Sequence, residues 1–294
     1  MSEQAIRVAF VGNPNCGKTT LFNALTGANL KVANWPGVTV EKKEGSTTYK
    51  GRKINLVDLP GIYSLTSYSI EEKVSRRCVM EDDIDVIVNV VDASSLERNL
   101  YLTMQLLELG KPVILALNMM DVVKERGMEI DNHRLPEMLG HIPVVPVSAR
   151  KRTGLNVLLH AVEHHYEEDM DNQVVKYSPF LEEKITRLEK LLKEKYPDLK
   201  YLRWTAVKLL EDDEETKKEY SLEASGILDR SYEKEIINQK YNYIEEVVEE
   251  VLFYKNASNE GKTDKVDQIL THEFWGVPVF LGIMALVFFL TFTI

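Results

Sequence analysis

The stretch Gly12-Asn13-Pro14-Asn15-Cys16-Gly17-Lys18-Thr19-Thr20 narrows the folds open to this chain more than any other. It matches the pattern G-x-x-x-x-G-K-[ST], in which a glycine-rich turn aims successive backbone N–H groups at an anion and hands it to a helix N-terminus. The flanks agree with that reading. Ile6-Arg7-Val8-Ala9-Phe10-Val11 is a short apolar run of strand type, and Leu21, Phe22 and Leu25 recur at helical spacing until Thr26-Gly27 ends the helix. Gly12 and Gly17 let the backbone fold round phosphates, Lys18 reaches the β- and γ-phosphates, and the Thr19 hydroxyl can ligate Mg2+. By itself the loop specifies a nucleoside triphosphate, with a chance match in a surface loop as the alternative.

With 294 residues the chain has room for one large domain or two modest ones. A net charge of −10 and a pI near 5.3 provide no basic footprint for nucleic acid. Cys16 and Cys78 offer neither a disulfide framework nor a metal-ligand spacing. Met1 to Gln4 leads into the first strand without a secretory signal, so this part is expected in the cytosol. From Val277 to Ile294 there is no charged residue, and Trp275 stands before the run as an interfacial anchor. At helical rise the run is about 27 Å long against a hydrocarbon core of about 30 Å, which reads as the truncated start of a membrane helix. A buried core helix and a tail anchor are the rival readings.

Along the chain, Ala28 to Gly37 is expected to form an irregular loop ending in Trp35-Pro36-Gly37. Thr39 follows as a candidate switch residue whose hydroxyl and carbonyl, near Mg2+ and the γ-phosphate, order the loop only while that phosphate is present. Val38-Thr39-Val40 leads into a polar strand through Tyr49, and Lys50-Gly51-Arg52 turns it into Lys53-Ile54-Asn55-Leu56-Val57, a hairpin. The hairpin delivers Asp58-Leu59-Pro60-Gly61, with Asp58 placed for the Mg2+ shell and the Gly61 amide for sensing the γ-phosphate. Ser69 and Glu72 cap a helix over Ile70–Met80. Asp85–Asp92 and Pro112–Met119 read as buried parallel strands around a helix over Leu96–Leu109, and Ile142–Val147 as a further strand. The alternation predicts a doubly wound α/β domain with its ligand loops at the strand carboxyl ends.

Two of those loops select the base. Asp121, in Asn118-Met119-Met120-Asp121, can accept from N1–H and the exocyclic amine of guanine, whereas adenine would leave the carboxylate unpaired. Asn118 braces the loop and base edge, and in Ser148-Ala149-Arg150 the Ala149 amide can donate to guanine O6. GTP and GDP are therefore favoured over adenine nucleotides. Many GTPases carry lysine where this chain has Met119, so that lysine's packing over the base is missing.

At this point the chain resembles the cytosolic region of the FeoB family, bacterial ferrous iron transport proteins with a GTPase domain fused to a membrane domain. The matching residues are Gly12 to Thr19, Asn34-Trp35-Pro36-Gly37-Val38-Thr39, Asp58 to Leu65, Asn89-Val90-Val91-Asp92-Ala93, Leu96-Glu97-Arg98-Asn99-Leu100 and Ala116 to Asp121, and looser likeness continues to Trp275-Gly276-Val277-Pro278. The resemblance implies a Ras-like P-loop GTPase domain with a mostly parallel sheet over 1–168, a small all-α domain over 169–260, a membrane-proximal linker over 261–276 and the start of a membrane helix over 277–294. It implies GTP hydrolysis on the cytoplasmic side of a multi-pass membrane protein, with Fe(II) handled in the membrane part, and brings small cytosolic Feo partner proteins and a homo-oligomer into range. Ras-like enzymes place a water-orienting glutamine directly after the D-x-x-G glycine. This chain has Ile62 there, so slow intrinsic hydrolysis is expected, resting on Lys18, Thr39, Gly61 and backbone amides. The resemblance further implies that Asn15 ligates K+ beside the phosphates, with the backbone of Ala33 to Trp35 completing the shell; otherwise Asn15 is a turn residue.

Beyond a polar linker over Glu168–Tyr177, helices are expected from Ser178-Pro179 to Tyr196, then one carrying Leu199, Leu202, Ala206, Leu209 and Leu210, and one over roughly Tyr232–Phe253, their apolar stripes being bundle core. In the family this segment is a dissociation-inhibitor-like or coupling element. His160 and His164 stand at a chelating i, i+4 spacing beside His165, and Glu211-Asp212-Asp213-Glu214-Glu215 is an acidic run. Both read first as solvated surface. The rivals to an iron-transporter GTPase are a tail-anchored GTP sensor and a soluble Era-like GTPase directed to RNA or ribosomes.

Overall fold

The computed structural model describes residues 5–27, 30–66, 68–80, 83–166, 174–222, 224, 226–254 and 276–293. The expectations for Trp275, for the linker over 261–275 and for 168–173 fall outside them. In chain order the elements are β1 (Ile6–Gly12), α1 (Lys18–Thr26), β2 (Leu30–Asn34), β3 (Glu41–Tyr49), β4 (Arg52–Asp58), α2 (Ile70–Met80), β5 (Val86–Asp92), α3 (Leu96–Leu107), β6 (Val113–Asn118), α4 (Met120–Glu125), β7 (Met128–Ile130), α5 (Arg134–Met138), β8 (Val144–Pro146) and α6 (Leu155–His165). The helical part follows as α7 (Pro179–Lys195), α8 (Leu202–Leu210), α9 (Glu214–Glu219) and α10 (Glu233–Val251), and α11 (Gly276–Thr293) lies in a separate unit beginning at Tyr254.

A seven-stranded sheet has the order β2-β3-β4-β1-β5-β6-β8. Strands β4, β1, β5, β6 and β8 run parallel, and β2 and β3 form the antiparallel edge. The period-2 alternation of strand side chains divides the core between the two faces. Ile6, Val8 and Phe10 of β1 pack with Leu21 and Phe22 of α1 and Leu158 and Val162 of α6. Ala9 and Val11 point the other way, toward α2 and α3, and that core continues into Leu181, Ile185, Trp204, Ile236 and Ile244 of the helical part. The two parts therefore share one apolar interior.

The expected hairpin forms with Tyr49 opposite Arg52, and Lys50 and Gly51 both adopt positive φ, 47° and 85°. This is the turn geometry that matches the twist of paired strands. The Ser69/Glu72 box closes as expected: the Glu72 amide donates to Ser69 Oγ at 3.1 Å and the Ser69 amide to Glu72 Oε2 at 3.3 Å. One expectation is corrected. Within the stretch expected to be irregular, Leu30–Asn34 is a strand, paired with Gly45 to Glu41 of β3. Its side chains are exposed, so no alternation marked it in the sequence. The remainder, Trp35 to Val38, is a turn with Pro36 and Gly37 (φ 76°) at its centre, closed by the Val38 amide on the Trp35 carbonyl.

Helix α11 spans 18 residues without a charged side chain, about 27 Å of helix. Among the described residues no helix is long and apolar enough to cross a membrane.

Candidate functional site

The glycine loop follows β1 and opens α1, as its pattern requires, and it is held by contacts from the ends of β4 and β6 and from α3. Gly17 has φ 83°, and a Cβ there would overlap the Asn118 amide nitrogen. Both facts demand glycine. The Asn118 amide, from the end of β6, donates to the Cys16 carbonyl at 2.9 Å, while its oxygen accepts from the Ala149 amide at 2.9 Å. Asn118 thus clamps the phosphate loop to the loop after β8. Asn13 lies 2% exposed and donates to the Arg98 carbonyl at 3.1 Å, which ties the phosphate loop to the Leu96–Leu100 stretch of α3. Its position in the loop marked Asn13; its bond to Arg98 was not legible, because a backbone acceptor leaves no residue-type signal.

Lys18 Nζ donates to Asp58 Oδ1, and Thr19 Oγ1 donates to Asp58 Oδ2 at 3.0 Å. Lys18 and Asp58 are both buried. The first turn of α1 and the end of β4 therefore present an ammonium, a hydroxyl and a carboxylate at one point. Gly61 packs against Pro14, where a Cβ would approach the proline Cα at 3.1 Å, and the Ile62 amide donates to the Gly12 carbonyl at 3.2 Å. Ile62 and Leu59 are buried in the core while Pro60 is half-buried, so the side chain after Gly61 points away from the cleft. The cleft has a volume of about 570 Å³ and is lined by Asn13, Pro14, Asn15, Gly17, Lys18, Thr19, Thr20, Gly61 and Met119; another hollow is larger, about 730 Å³. The larger hollow, beside Leu30 and Lys53, touches none of the motif residues.

At the base end, Asp121 is 6% exposed and its Oδ1 accepts from Ser148 Oγ at 2.9 Å. Burial pushes the Asp121 carboxyl up, but the Ser148 hydroxyl, its own backbone amide and the nearby Lys151 and Arg150 outweigh it, holding it below the usual carboxylate range. It is an ionised acceptor, as guanine recognition requires. Arg150 itself is exposed. The Ala149 amide, expected to be directed at guanine O6, is engaged with Asn118 in this structure. Met119 has φ 62° and brings its methyl group beside Gly17. The absent lysine is thereby replaced with an apolar cover over the loop.

The switch stretch is not gathered with the rest. Thr39 is exposed, and neither it nor Asn34, Pro36, Gly37 or Val38 lines the cleft. Trp35 is buried, its amide donating to the Val40 carbonyl at 2.9 Å and its ring lying 4.5 Å under the Lys42 ammonium. Asn15 faces the cleft with φ 66°, a left-handed turn conformation that asparagine tolerates. Ala33 and Asn34 are engaged in β2, so the backbone expected to complete a K+ shell lies elsewhere.

The acidic run also departs from expectation. Asp212 and Glu214 are exposed, but the Glu211 and Asp213 side chains are largely withdrawn from solvent and paired: Glu211 bonds Lys208 (2.5 Å) and Lys240 (3.2 Å), while Asp213 caps α9 and pairs with Arg76 of α2 at 3.0 Å. Countercharge comes from Lys208 three residues upstream, from Lys240 of α10 and from Arg76 of α2.

The phosphate loop, the carboxylate at the end of β4 and the Asn118/Asp121 loop on this sheet order define the Ras-like P-loop GTPase fold. Comparison with known proteins narrows the class. Residues 6–162 match the family described as ferrous iron transport protein B, and residues 177–252 match the FeoB cytosolic helical domain. The chain belongs to the FeoB family. It is 38% identical to the Fe(2+) transporters FeoB of Shigella flexneri and Escherichia coli K12, over 98% of this chain and 39% of each relative. It thus spans about two-fifths of the length of these curated relatives. Among solved structures, the cytosolic domain of Legionella pneumophila FeoB aligns with a TM-score of 0.78 at 37% identity, covering 84% of this chain and 99% of that one. The cytosolic domain of the T. maritima FeoB iron transporter, solved in a GDP form and a GMPPNP form, aligns at 40% identity with TM-scores of 0.78 and 0.77, covering 85% and 84% of this chain and 99% of those chains.

Proposed function

We propose that this chain binds guanine nucleotide with Mg2+ in the cleft above α1 and hydrolyses GTP slowly, as the cytosolic part of a bacterial membrane transporter for Fe(II). The observation that carries the reading is the meeting of Lys18, Thr19 and Asp58 beneath the glycine loop. A hydroxyl and a carboxylate oxygen 3.0 Å apart suit a hard cation of Mg2+ type. Mg2+ supplies charge neutralisation on the phosphate oxygens when bound. Lys18 would turn from the Asp58 carboxylate to phosphate oxygens, and Thr19 and Asp58 would then hold the Mg2+. The loop amides and the Gly61 amide donate to the phosphates, and Asp121 pairs with the base. Thr39 joins only when the switch stretch closes over the γ-phosphate.

Ile62, directly after Gly61, is aliphatic and buried and cannot orient a water, which supports slow intrinsic turnover. K+ stimulation rests on Asn15 alone, since Ala33 to Trp35 do not line the cleft, and no step is assigned to that ion.

Residues 1–168 are the GTPase domain and 169–260 the coupling domain. Arg76 of the helix after Gly61 supports that coupling: it reaches Asp213 at 3.0 Å and Thr216 at 2.7 Å, under the Trp204 ring. The apolar helix α11 enters the membrane in the longer transporter, where Fe(II) passes; a homo-oligomer and small Feo proteins are its partners there. The GDP and GMPPNP forms of the T. maritima relative support the nucleotide assignment.

Single-turnover GTP hydrolysis in K+ against Na+ tests the enzyme reading. Turnover with magnesium that is lost in Lys18→Ala is expected, and stimulation by K+ that disappears in Asn15→Ala would support the cation role. No turnover in either salt would favour a non-enzymatic GTP sensor.

A further inference from the structure

The C-terminal turns of α6 carry a cluster that the nucleotide site does not use. His160, Glu163 and His164 place one ligand atom each within 4.8 Å of one another. The positions are i, i+3 and i+4, which lie on one face of a helix. The two imidazole rings already touch edge to face, with centroids 4.2 Å apart, and His164 Nε2 stands 3.9 Å from Glu163 Oε2. Both histidines are exposed and Glu163 is half-buried, so an ion can enter from solvent.

We propose that His160, Glu163 and His164 form a surface site for a divalent first-row transition metal, and that Lys50 competes with the ion for Glu163. Metal–ligand bonds of about 2.0–2.2 Å require donor atoms to lie no more than about 4.3 Å apart. The cluster is within a few tenths of an ångström of that limit, and rotation of an exposed imidazole closes the difference. Two imidazoles and one carboxylate select Fe2+, Co2+, Ni2+ or Zn2+ over Mg2+ or Ca2+, which prefer all-oxygen sets. Three protein ligands leave the remaining coordination positions to water.

The surroundings argue for an exchangeable site. Lys50, from the hairpin turn between β3 and β4, holds Glu163 Oε2 at 3.4 Å, and both partners are partly exposed. A solvent-exposed pair of this kind is weak enough for a metal to displace. The His160 ring packs on Tyr49 of the same turn at 6.3 Å, while Arg52 lies over the Tyr166 ring at 4.3 Å and donates to its hydroxyl. Loss of the Lys50 pair leaves Glu163 beside the histidines, because one helix carries all three and Tyr49 and Arg52 still contact that helix at His160 and Tyr166.

The test is titration of the full, nucleotide-free chain with Co2+, read by its d–d absorption, and with Zn2+, read by calorimetry, in excess magnesium. One ion per chain is expected. His160→Ala, His164→Ala and Glu163→Gln should each weaken binding at least about tenfold, Lys50→Ala should tighten it, and His133→Ala, on an exposed loop elsewhere, should leave it unchanged. All five side chains lie at least partly in solvent, and an unchanged Tm identifies variants that remain folded. Absence of binding, affinity unchanged from the parent chain in His160→Ala and His164→Ala, or an equal loss in His133→Ala would overturn the site. The measurement uses no nucleotide, so its failure leaves the GTP reading untouched.

Discussion

Gly17 shows how much one residue carries. Its φ of 83° and its contact with the Asn118 amide leave no room for a side chain, so Gly17→Ala both strains the backbone and pushes away the group that holds the Cys16 carbonyl. A stability loss of about 1–3 kcal/mol in chemical denaturation is expected, together with at least a tenfold loss of nucleotide affinity. The glycines, lysine and threonine of this loop were legible in the sequence because the pattern itself encodes backbone geometry. Asn118 and Asp121 were legible for their chemistry. That Asn118 would also take the Ala149 amide was not, since such a bond depends on where two strand ends meet. The Cys16 thiol, although in the loop, is buried and pushed up to about 11, chiefly by desolvation, so it is expected to resist alkylation in the folded protein.

At the level of elements, α2 depends on Glu72 twice. Its carboxylate caps the helix through the Ser69 amide and also accepts from Ser64 Oγ (3.2 Å) and Thr66 Oγ1 (2.7 Å), pinning the segment that follows Gly61. Glu72→Ala should cost about 1 kcal/mol, and hydrogen exchange at residues 63–66 should accelerate. The capping box was readable from Ser69 and Glu72 alone; the grip on Ser64 and Thr66 was not, because it is set by how the preceding loop folds back. Helix periodicity likewise marked α7, α8 and α10 but hid their polar interior. Lys240 is fully buried between Glu108 (3.0 Å) and Glu211 (3.2 Å), joining α10 to the end of α3 and the end of α8. Lys240→Met leaves both carboxylates short of a partner and should destabilise the fold by about 3–5 kcal/mol. Burial pushes the Glu211 carboxyl up, but Lys208 and Lys240 outweigh it and hold it at about 2, below its unfolded value of 4.5. Its contribution is complete above pH ~4.5 and disappears as pH falls toward 2. Acid unfolding followed by near-UV circular dichroism should therefore begin at higher pH in Lys240→Met.

For the molecule as a whole, residues Met1–Phe253 form one compact unit, and the core beneath α2 and α3 continues into the helical part. Sequence periodicity separates these parts into a doubly wound domain and a bundle, as the two family matches also do. The shared interior was not legible, because apolar stripes do not name their partners. It includes the polar contact of Arg76 in α2 with Asp213 and Thr216, on which the proposed coupling to the bundle rests. All of this depends on the nucleotide being a guanine nucleotide. Calorimetric titration of the full chain with GTP and with ATP, at equal magnesium, tests that most directly. GTP should bind at least on the order of 10⁴-fold more tightly than ATP, and the preference should vanish in Asp121→Ala; equal affinity for the two, or binding of neither, would contradict the account.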